Sequence, residues 1–366
     1  MLSHPHPGRN GEAMTDEKPA NAPRSVVRIL LHTIGWPIAT FILLFSLLCL
    51  SILFSGWLVP ILIALLIIGI TVWRRRLRWY AGLSCALFFM IFFVVSFRTP
   101  QQDRNWEEPL TVLPRCTIDG AILTIEGVRN FEWRSRDDYN ARWETRSYDI
   151  NKLRGIDMIV QPFGWGDLTA HTMLTFDFGD DGHLLLTIEA RRIDGQSWGP
   201  VAGILNEFEL IYIFADERDA LGIRALQGHE FYALPTVTDP LWRKAFLLSL
   251  CATSNSILNR PRFYHTLRDN CTTEWLRAVD KLSGRIWGVQ IDTILNGRVG
   301  RLLHRTGAVD TDLSYEDARQ HFRLDQRVLR HLDDPDFSNL IRLVWWFCGR
   351  RAEQLHRQGI RGPALR

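Results

Sequence analysis

The stretch Arg268 to Trp275 reads RDNCTTEW, and its cysteine stands where a polar run gives way to helical periodicity. With Asn270 as the cap of a helix starting at Cys271, the Asn oxygen can accept from the N–H of Thr272 or Thr273, and Glu274 suits the positive end of the helix dipole. Cys271 then occupies the first helical position beside free backbone N–H groups, a placement that lowers a thiol pKa. The same spacing puts Cys271 on one helix face with Trp275, Ala278, Val279 and Leu282, as an inert core cysteine would be.

A thiolate becomes a catalyst when an imidazole lies within hydrogen-bond reach and a third group fixes that imidazole in one tautomer. After Arg98 the chain offers His171, His183, His229, His265, His304, His321, His331 and His356. His171 opens the first strand of a hairpin, HTMLTFDFGDDGHLLLTIEARR, whose turn lies at Asp180 and Asp181. Folding about that turn sets Glu189 across from His171 to within about one residue of register. Cys271, His171 and Glu189 thus make a nucleophile, a base and an orienting carboxylate. His183 competes for the third place but adjoins the turn, and His265, six residues before the thiol, stays open as a base. Each residue also has a structural role to fall back on. His171 could bond to backbone at a strand end, and Glu189 could pair with Arg191 or Arg192. The acidic stretch ADERD, Ala215 to Asp219, reads as a solvated turn.

The elements that hold these residues follow an apolar N-terminal region. No Asp, Glu, Lys or Arg occurs from Ile29 to Trp73, far more than the about 20 residues one membrane crossing needs. Gly56, Trp57 and Pro60 mark a reversal, and a third uncharged run, Trp79 to Phe97, follows the cluster RRRLR. Three transmembrane helices are expected. Arg24, Arg28 and the Arg74–Arg78 cluster set the cytoplasmic side, which places everything after Arg98 in the periplasm of a Gram-negative cell, anchored to its inner membrane. The expected organisation is a disordered cytoplasmic tail (1–24), a membrane anchor (25–97), a linker (98–109) and a periplasmic domain (110–366). Cys49 and Cys85 read as packing residues of the anchor. Cys116, Cys251, Cys271 and Cys348 lie where disulfides are permitted, with Cys251–Cys348 one pairing open to them. The net charge of +3 is too small to suggest nucleic acid, and no metal or nucleotide motif is present, so no cofactor is expected.

The outer part is α+β, with strand signals up to Asp239 and helical periodicity beyond it. PLWRKAFLLSLCATSNSIL sets Trp242, Ala245, Phe246 and Leu250 on one face, and the helix from Cys271 follows the loop NRPRFYHTLRDN.

The blocks RNFEWRS, RWETRSYDI, AHTMLTFDF, TIEARR, IYIFADERD, FYHTLRDNCTTEW and DFSNLIR, in that order, resemble the Lnb-type periplasmic domain family, from about Cys116 to about Arg342. The resemblance implies a circularly permuted papain-like fold of the NlpC type, His before Cys, with Cys271 as nucleophile, His171 as base and Glu189 as third member. It also implies a thiol acyltransferase or hydrolase, and an anchor within one linker length of the bilayer favours membrane lipid or lipoprotein as the substrate. A cell-wall peptidase or amidase using the same dyad, and a silent module that binds lipid or peptide, are the alternatives. The chain departs from the acyltransferase that names the family, because its apolar helices precede the domain and nothing after Glu108 could span a membrane.

Overall fold

The computed structural model describes residues 22–74, 77–164, 166–287 and 291–342. The chain divides into two compact units, Met1–Ser96 and Phe97–Arg366.

The N-terminal unit contains α1 (Ala22–Leu53), α2 (Leu58–Arg74) and α3 (Leu77–Ser96), each in contact with the other two. The reversal falls where Gly56 suggested, with Ser55 in the left-handed region. Buried hydroxyls fold back on their own helices, as Ser46 does on the Ile42 carbonyl and Ser84 on that of Tyr80. The outward faces stay apolar, with Phe41 69%, Leu58 73% and Phe89 68% exposed. Bands of that kind belong against lipid, not water. Among the described residues only Thr33–Leu53 and Arg78–Ser96 are long and apolar enough to cross a membrane, one fewer than expected. The apolar part of α2, Leu58–Val72, rises roughly 22 Å at about 1.5 Å per residue, short of the about 30 Å hydrocarbon core. Most of the expected disordered tail lies outside the described residues, and its last three positions belong to α1.

The C-terminal unit is built on one sheet. Its strands are β1 (Arg115–Asp119), β2 (Ile122–Arg129), β3 (Glu132–Trp133), β4 (Tyr139–Asn140), β5 (Trp143–Asp149), β6 (Gly155–Pro162), β7 (Ala170–Asp177), β8 (His183–Arg191), β9 (Glu209–Ala215) and β10 (Tyr232–Pro235). The order is β1-β2-β9-β8-β7-β6-β10, with β5 also on β2 and β3–β4 forming a separate ribbon. All neighbours are antiparallel except the single β2–β9 pairing.

Antiparallel strands usually alternate because one face is wet, yet ELIYIFA in β9 is buried at every position. Helices cover both faces of the central strands. On one face α6 (Pro240–Asn259) and α7 (Cys271–Ser283) pack on β1, β7, β8 and β9. On the other, α5 (Glu217–Leu226), which follows the short α4 (Pro200–Ile204), brings Ala220, Leu221 and Ala225 onto Ile159, Met173, Leu185, Ile211 and Ile213. The architecture is therefore α+β as expected, although α4 and α5 are interleaved with the strands.

Two local expectations are corrected, and a third falls outside the described residues. ADERD is no solvated turn: Asp216 caps α5, while Glu217 and Asp219 are buried. Asp219 accepts from the Arg129 guanidinium, the Phe131 N–H and the Trp133 indole, partners remote in sequence that make a buried charge tenable. The segment 98–109 is no free linker. Arg98 donates to the Leu205 carbonyl and pairs with Glu207 at 2.5 Å, Gln101 N–H bonds Glu209, and Trp106 is buried under Arg191. Cys348 lies outside the described residues. Cys251 on α6 neighbours Cys116 on β1, both thiols free and buried, while Asn255 bonds the Cys116 N–H and carbonyl at 2.8 and 2.7 Å.

Candidate functional site

The Cys271 end of α7 is held by an Asn cap. Asn270 Oδ1 accepts the N–H groups of Thr272 and Thr273 at 2.9 and 3.0 Å, and the Thr273 hydroxyl accepts the Asn270 N–H, completing a capping box. The Asn270 carbonyl takes the Glu274 N–H, and its amide donates to the Thr266 carbonyl. The first-turn donors that the sequence left free beside the thiol are therefore occupied by the cap. Only the N–H of Cys271 itself has no partner in that turn among the described residues.

The helix docks on β7 through polar keys. Thr172 Oγ1 lies 3.1 Å from Thr272 Oγ1 and accepts from the Trp275 indole at 3.1 Å. Glu274, read as a dipole-compensating charge, is buried and accepts from Tyr212 and Arg262, which ties the first turn to β9. These contacts bring Cys271 Sγ to 3.9 Å from the Ala170 carbonyl, one residue before His171. Leu282 is only half-buried, while Leu276 joins the packed face.

The hairpin register pairs Met173 with Thr187 and Asp177 with His183, so its continuation sets His171 opposite Glu189. His171 Nε2 lies 3.1 Å from Glu189 Oε1 and 2.7 Å from Thr187 Oγ1, whose hydroxyl donates to Glu189 at 2.7 Å. One proton on Nε2 and one on Oγ1 satisfy all three groups in a chain. That leaves Nδ1 for Cys271, whose charge is coupled to that of the imidazole.

Behind the carboxylate, Arg224 of α5 donates Nη2 to Glu189 at 2.8 Å and Nε to Gln161 at 2.9 Å. Gln161 is the β6 partner of His171, so one guanidinium braces the strands on either side of the imidazole. The expected pairing of Glu189 with Arg191 or Arg192 does not occur. Arg191 turns to the carbonyls of Leu110 and Thr111, and Arg192 to Glu107.

The electrostatics follow from these contacts. Burial disfavours charge on His171, but Glu189 and then Cys271 outweigh it and raise the imidazole to about 9. Burial pushes the Cys271 thiol up, and His171, with donors from Thr172, brings it below its ordinary value. Burial likewise opposes ionisation of Glu189, which His171, Arg224 and Thr187 hold well below the usual carboxylate range. The arrangement favours a thiolate–imidazolium pair backed by a carboxylate, able to attack a carbonyl and return a proton to a leaving group.

His183 sits at the opposite end of the hairpin, 3.8 Å from Asp177. His265 closes its own turn, its Nδ1 accepting the Leu267 N–H and its backbone pairing with Asp269. Thr187, Arg224 and Asn296 are site residues that the sequence reading missed; Asn296 Nδ2 lies 3.9 Å from Cys271 Sγ. Thr187 carried a signal, being two residues from Glu189 on the same strand face. The other two come from distant segments and carried none. Among the described residues no group of three or more His, Cys, Asp or Glu could hold a metal ion.

A thiol at a capped helix start, set against an imidazole and carboxylate from adjacent strands of an antiparallel sheet, defines the class: an α+β domain with a Cys–His–Glu constellation. Residues 139–296 match the family described as Lnb N-terminal periplasmic domain, and the chain carries that domain. The matched segment is narrower than the blocks suggested, yet it includes His171, Thr187, Glu189, Arg224, Asn270, Cys271 and Asn296. With two N-terminal helices long and apolar enough to cross a membrane, this describes a membrane-anchored protein with a periplasmic domain. No curated protein and no solved structure matches the chain.

Proposed function

We propose that the protein is a periplasmic thiol acyltransferase or hydrolase that forms an acyl-thioester on Cys271, with membrane lipid or lipoprotein as substrate. The observation that carries this reading is the juxtaposition of Cys271 with an imidazole whose Nε2 is 3.1 Å from Glu189. The thiolate adds to an ester or amide carbonyl, forming a C–S bond. The tetrahedral adduct then collapses, breaking the bond to the leaving group, which takes its proton from His171 Nδ1. In the second half an amine, alcohol or water gives its proton to His171 and bonds to the acyl carbon of the thioester, and the C–S bond breaks to release the Cys271 thiolate beside the imidazolium. The order His before Cys is that of a circularly permuted papain-like enzyme of the NlpC type.

Parity supports three crossings. Arg24, Arg28 and the Arg74–Arg78 cluster favour the cytoplasm, so a periplasmic domain requires an odd number, with α2 as a short third span in a locally thinned bilayer. The lipid preference rests on chain length: α3 ends at Ser96, and Arg98 is already bonded within the C-terminal unit.

The test is to feed cells a clickable fatty acid, purify the protein and compare bound lipid in wild type, Cys271→Ala and His171→Ala, with and without hydroxylamine. Hydroxylamine-labile label in wild type that is absent from Cys271→Ala is expected. Folded wild type without label, together with cleavage of cell-wall peptides, would transfer the same dyad to a peptidase or amidase.

A further inference from the structure

We infer that the side-chain amide of Asn296 is a catalytic oxyanion donor, acting with the Cys271 N–H on the tetrahedral adduct. The inference deepens the acyl-transfer reading and rests on it. Acyl transfer through a thiolate needs donors aimed at the oxygen that becomes negative, and such sites commonly supply two. The start of α7 looks able to provide them, but Asn270 consumes the N–H groups of Thr272 and Thr273 and its carbonyl takes that of Glu274. One donor is left there.

The second comes from another segment. Asn296 opens a 3-10 turn, Asn296–Arg298, that packs against the start of β7. Its Oδ1 accepts the Ala170 N–H at 3.0 Å, which fixes which end of the amide is which and turns the NH2 group toward the thiol. Nδ2 lies 3.9 Å from Sγ. An oxyanion sits one bond beyond the carbon joined to sulfur, so a donor at that distance can come within the about 2.7–3.1 Å such bonds need.

Gly297 makes this approach possible. A Cβ there would lie 2.5 Å from the Asp167 carbonyl oxygen and 2.7 Å from the Thr169 nitrogen. Those neighbours are backbone and cannot swing away, so a side chain at 297 would lift Asn296 off Ala170. The Asn-Gly pair thus presses an amide against the strand that carries the base.

In the reaction Asn296 gives up no proton. As the C–S bond forms, the carbonyl π pair moves onto oxygen, where Nδ2–H and the Cys271 N–H hold it. When the adduct collapses the pair returns and the bond to the leaving group breaks.

The experiment separates oxyanion support from thiol activation. Full-length wild type, Asn296→Ala and Asn296→Asp are assayed by intact mass for acylation of Cys271 by p-nitrophenyl octanoate. Alkylation by iodoacetamide, a displacement with no oxyanion, is measured at the pH where its rate has reached a plateau. Asn296→Asp keeps the acceptor for Ala170 while removing the donor, so it serves where the Ala variant fails to fold. Acylation about 100-fold slower in the variants, with plateau alkylation within about threefold, is the expected result. Wild-type acylation rates in Asn296→Asp, or equal losses of acylation and alkylation, would overturn the inference alone. A wild type that alkylates at Cys271 but is never acylated would remove the acyl-transfer reading, and this inference with it.

Discussion

The two ends of the central hairpin hold nearly the same side chains and are built for different ends. At one, Thr187, Glu189 and Arg224 surround His171; at the other, Thr175, Glu217 and Arg342 lie near His183. In both a threonine hydroxyl and a guanidinium hold a glutamate, with Thr175 at 2.6 Å and Arg342 at 2.8 Å from Glu217. A cleft of about 1410 Å³ lies at the His183 end, lined by Arg146, Asp177, His183 and Arg218 among others. Neither cavity size nor a buried Glu–Arg pair marks the reactive end. What differs is the thiol beside His171, which changes the same bracing from a fold-stabilising pair into support for a base.

The largest contrast is expected from the two histidines. His171→Ala should slow acylation of Cys271 about 10³-fold, within the range for losing a positioned base. His183→Gln should change it less than twofold. Single-turnover intact-mass kinetics on both variants measures this, and comparable losses would mean that sheet integrity, not the imidazole at 171, controls the reaction.

The two glutamates should show the reverse order in stability. Glu217 is almost fully buried and shares the Arg342 guanidinium with Asp157, so Glu217→Ala removes one of two carboxylates from a buried cation and should cost about 3 kcal/mol. Glu189→Gln keeps an acceptor for Arg224 and Thr187 and should cost about 1–2 kcal/mol, while lowering acylation at least tenfold. Denaturant unfolding followed by tryptophan fluorescence gives the stabilities. A Glu189→Gln variant less stable than Glu217→Ala would erase the proposed division between the ends.

Thiol titration sharpens the contrast further. The Cys271 thiol is held below its ordinary value of 9.0, chiefly by His171 working against burial. Alkylation of wild type should therefore rise at a pH below 9.0, and the imidazolium partner is lost only as pH passes about 9. In His171→Gln burial remains without the cation, so the midpoint should move above 9.0. In His183→Gln it should stay where it was; an upward move there would contradict a local cause.

Much of the reactive end was legible because its determinants are local. The Asn270 cap, the helix start at Cys271 and the Gly179–Gly182 turn are each written within a few residues, and the turn fixes the hairpin register that brings Glu189 to His171. What was not legible depends on distant partners. Glu217 and Asp219 read as solvated because nothing near them announces Arg342 or Arg129. The segment after Arg98 reads as a linker because its ties, to Leu205, Glu207 and Glu209, lie about a hundred residues on. The free N–H groups assigned to the thiol failed for a related reason. A cap strong enough to be recognised in sequence is one that uses those groups.

The smallest expected effect concerns that cap, and it divides structure from electrostatics. Asn270→Ala removes the acceptor of two N–H groups and should cost about 1 kcal/mol. Asn270→Asp caps a helix about as well as Asn, so apart from the amide bond to Thr266 the fold should be little changed. The new carboxylate, however, lies one residue from the thiolate and disfavours it by like-charge repulsion. Alkylation of Asn270→Asp at pH 7 should therefore be slower than in wild type and converge with it at high pH, while Asn270→Ala, which frees two donors near sulfur, should be no slower at either. If both variants lose reactivity in step with stability, the cap acts on the thiol only by holding the helix.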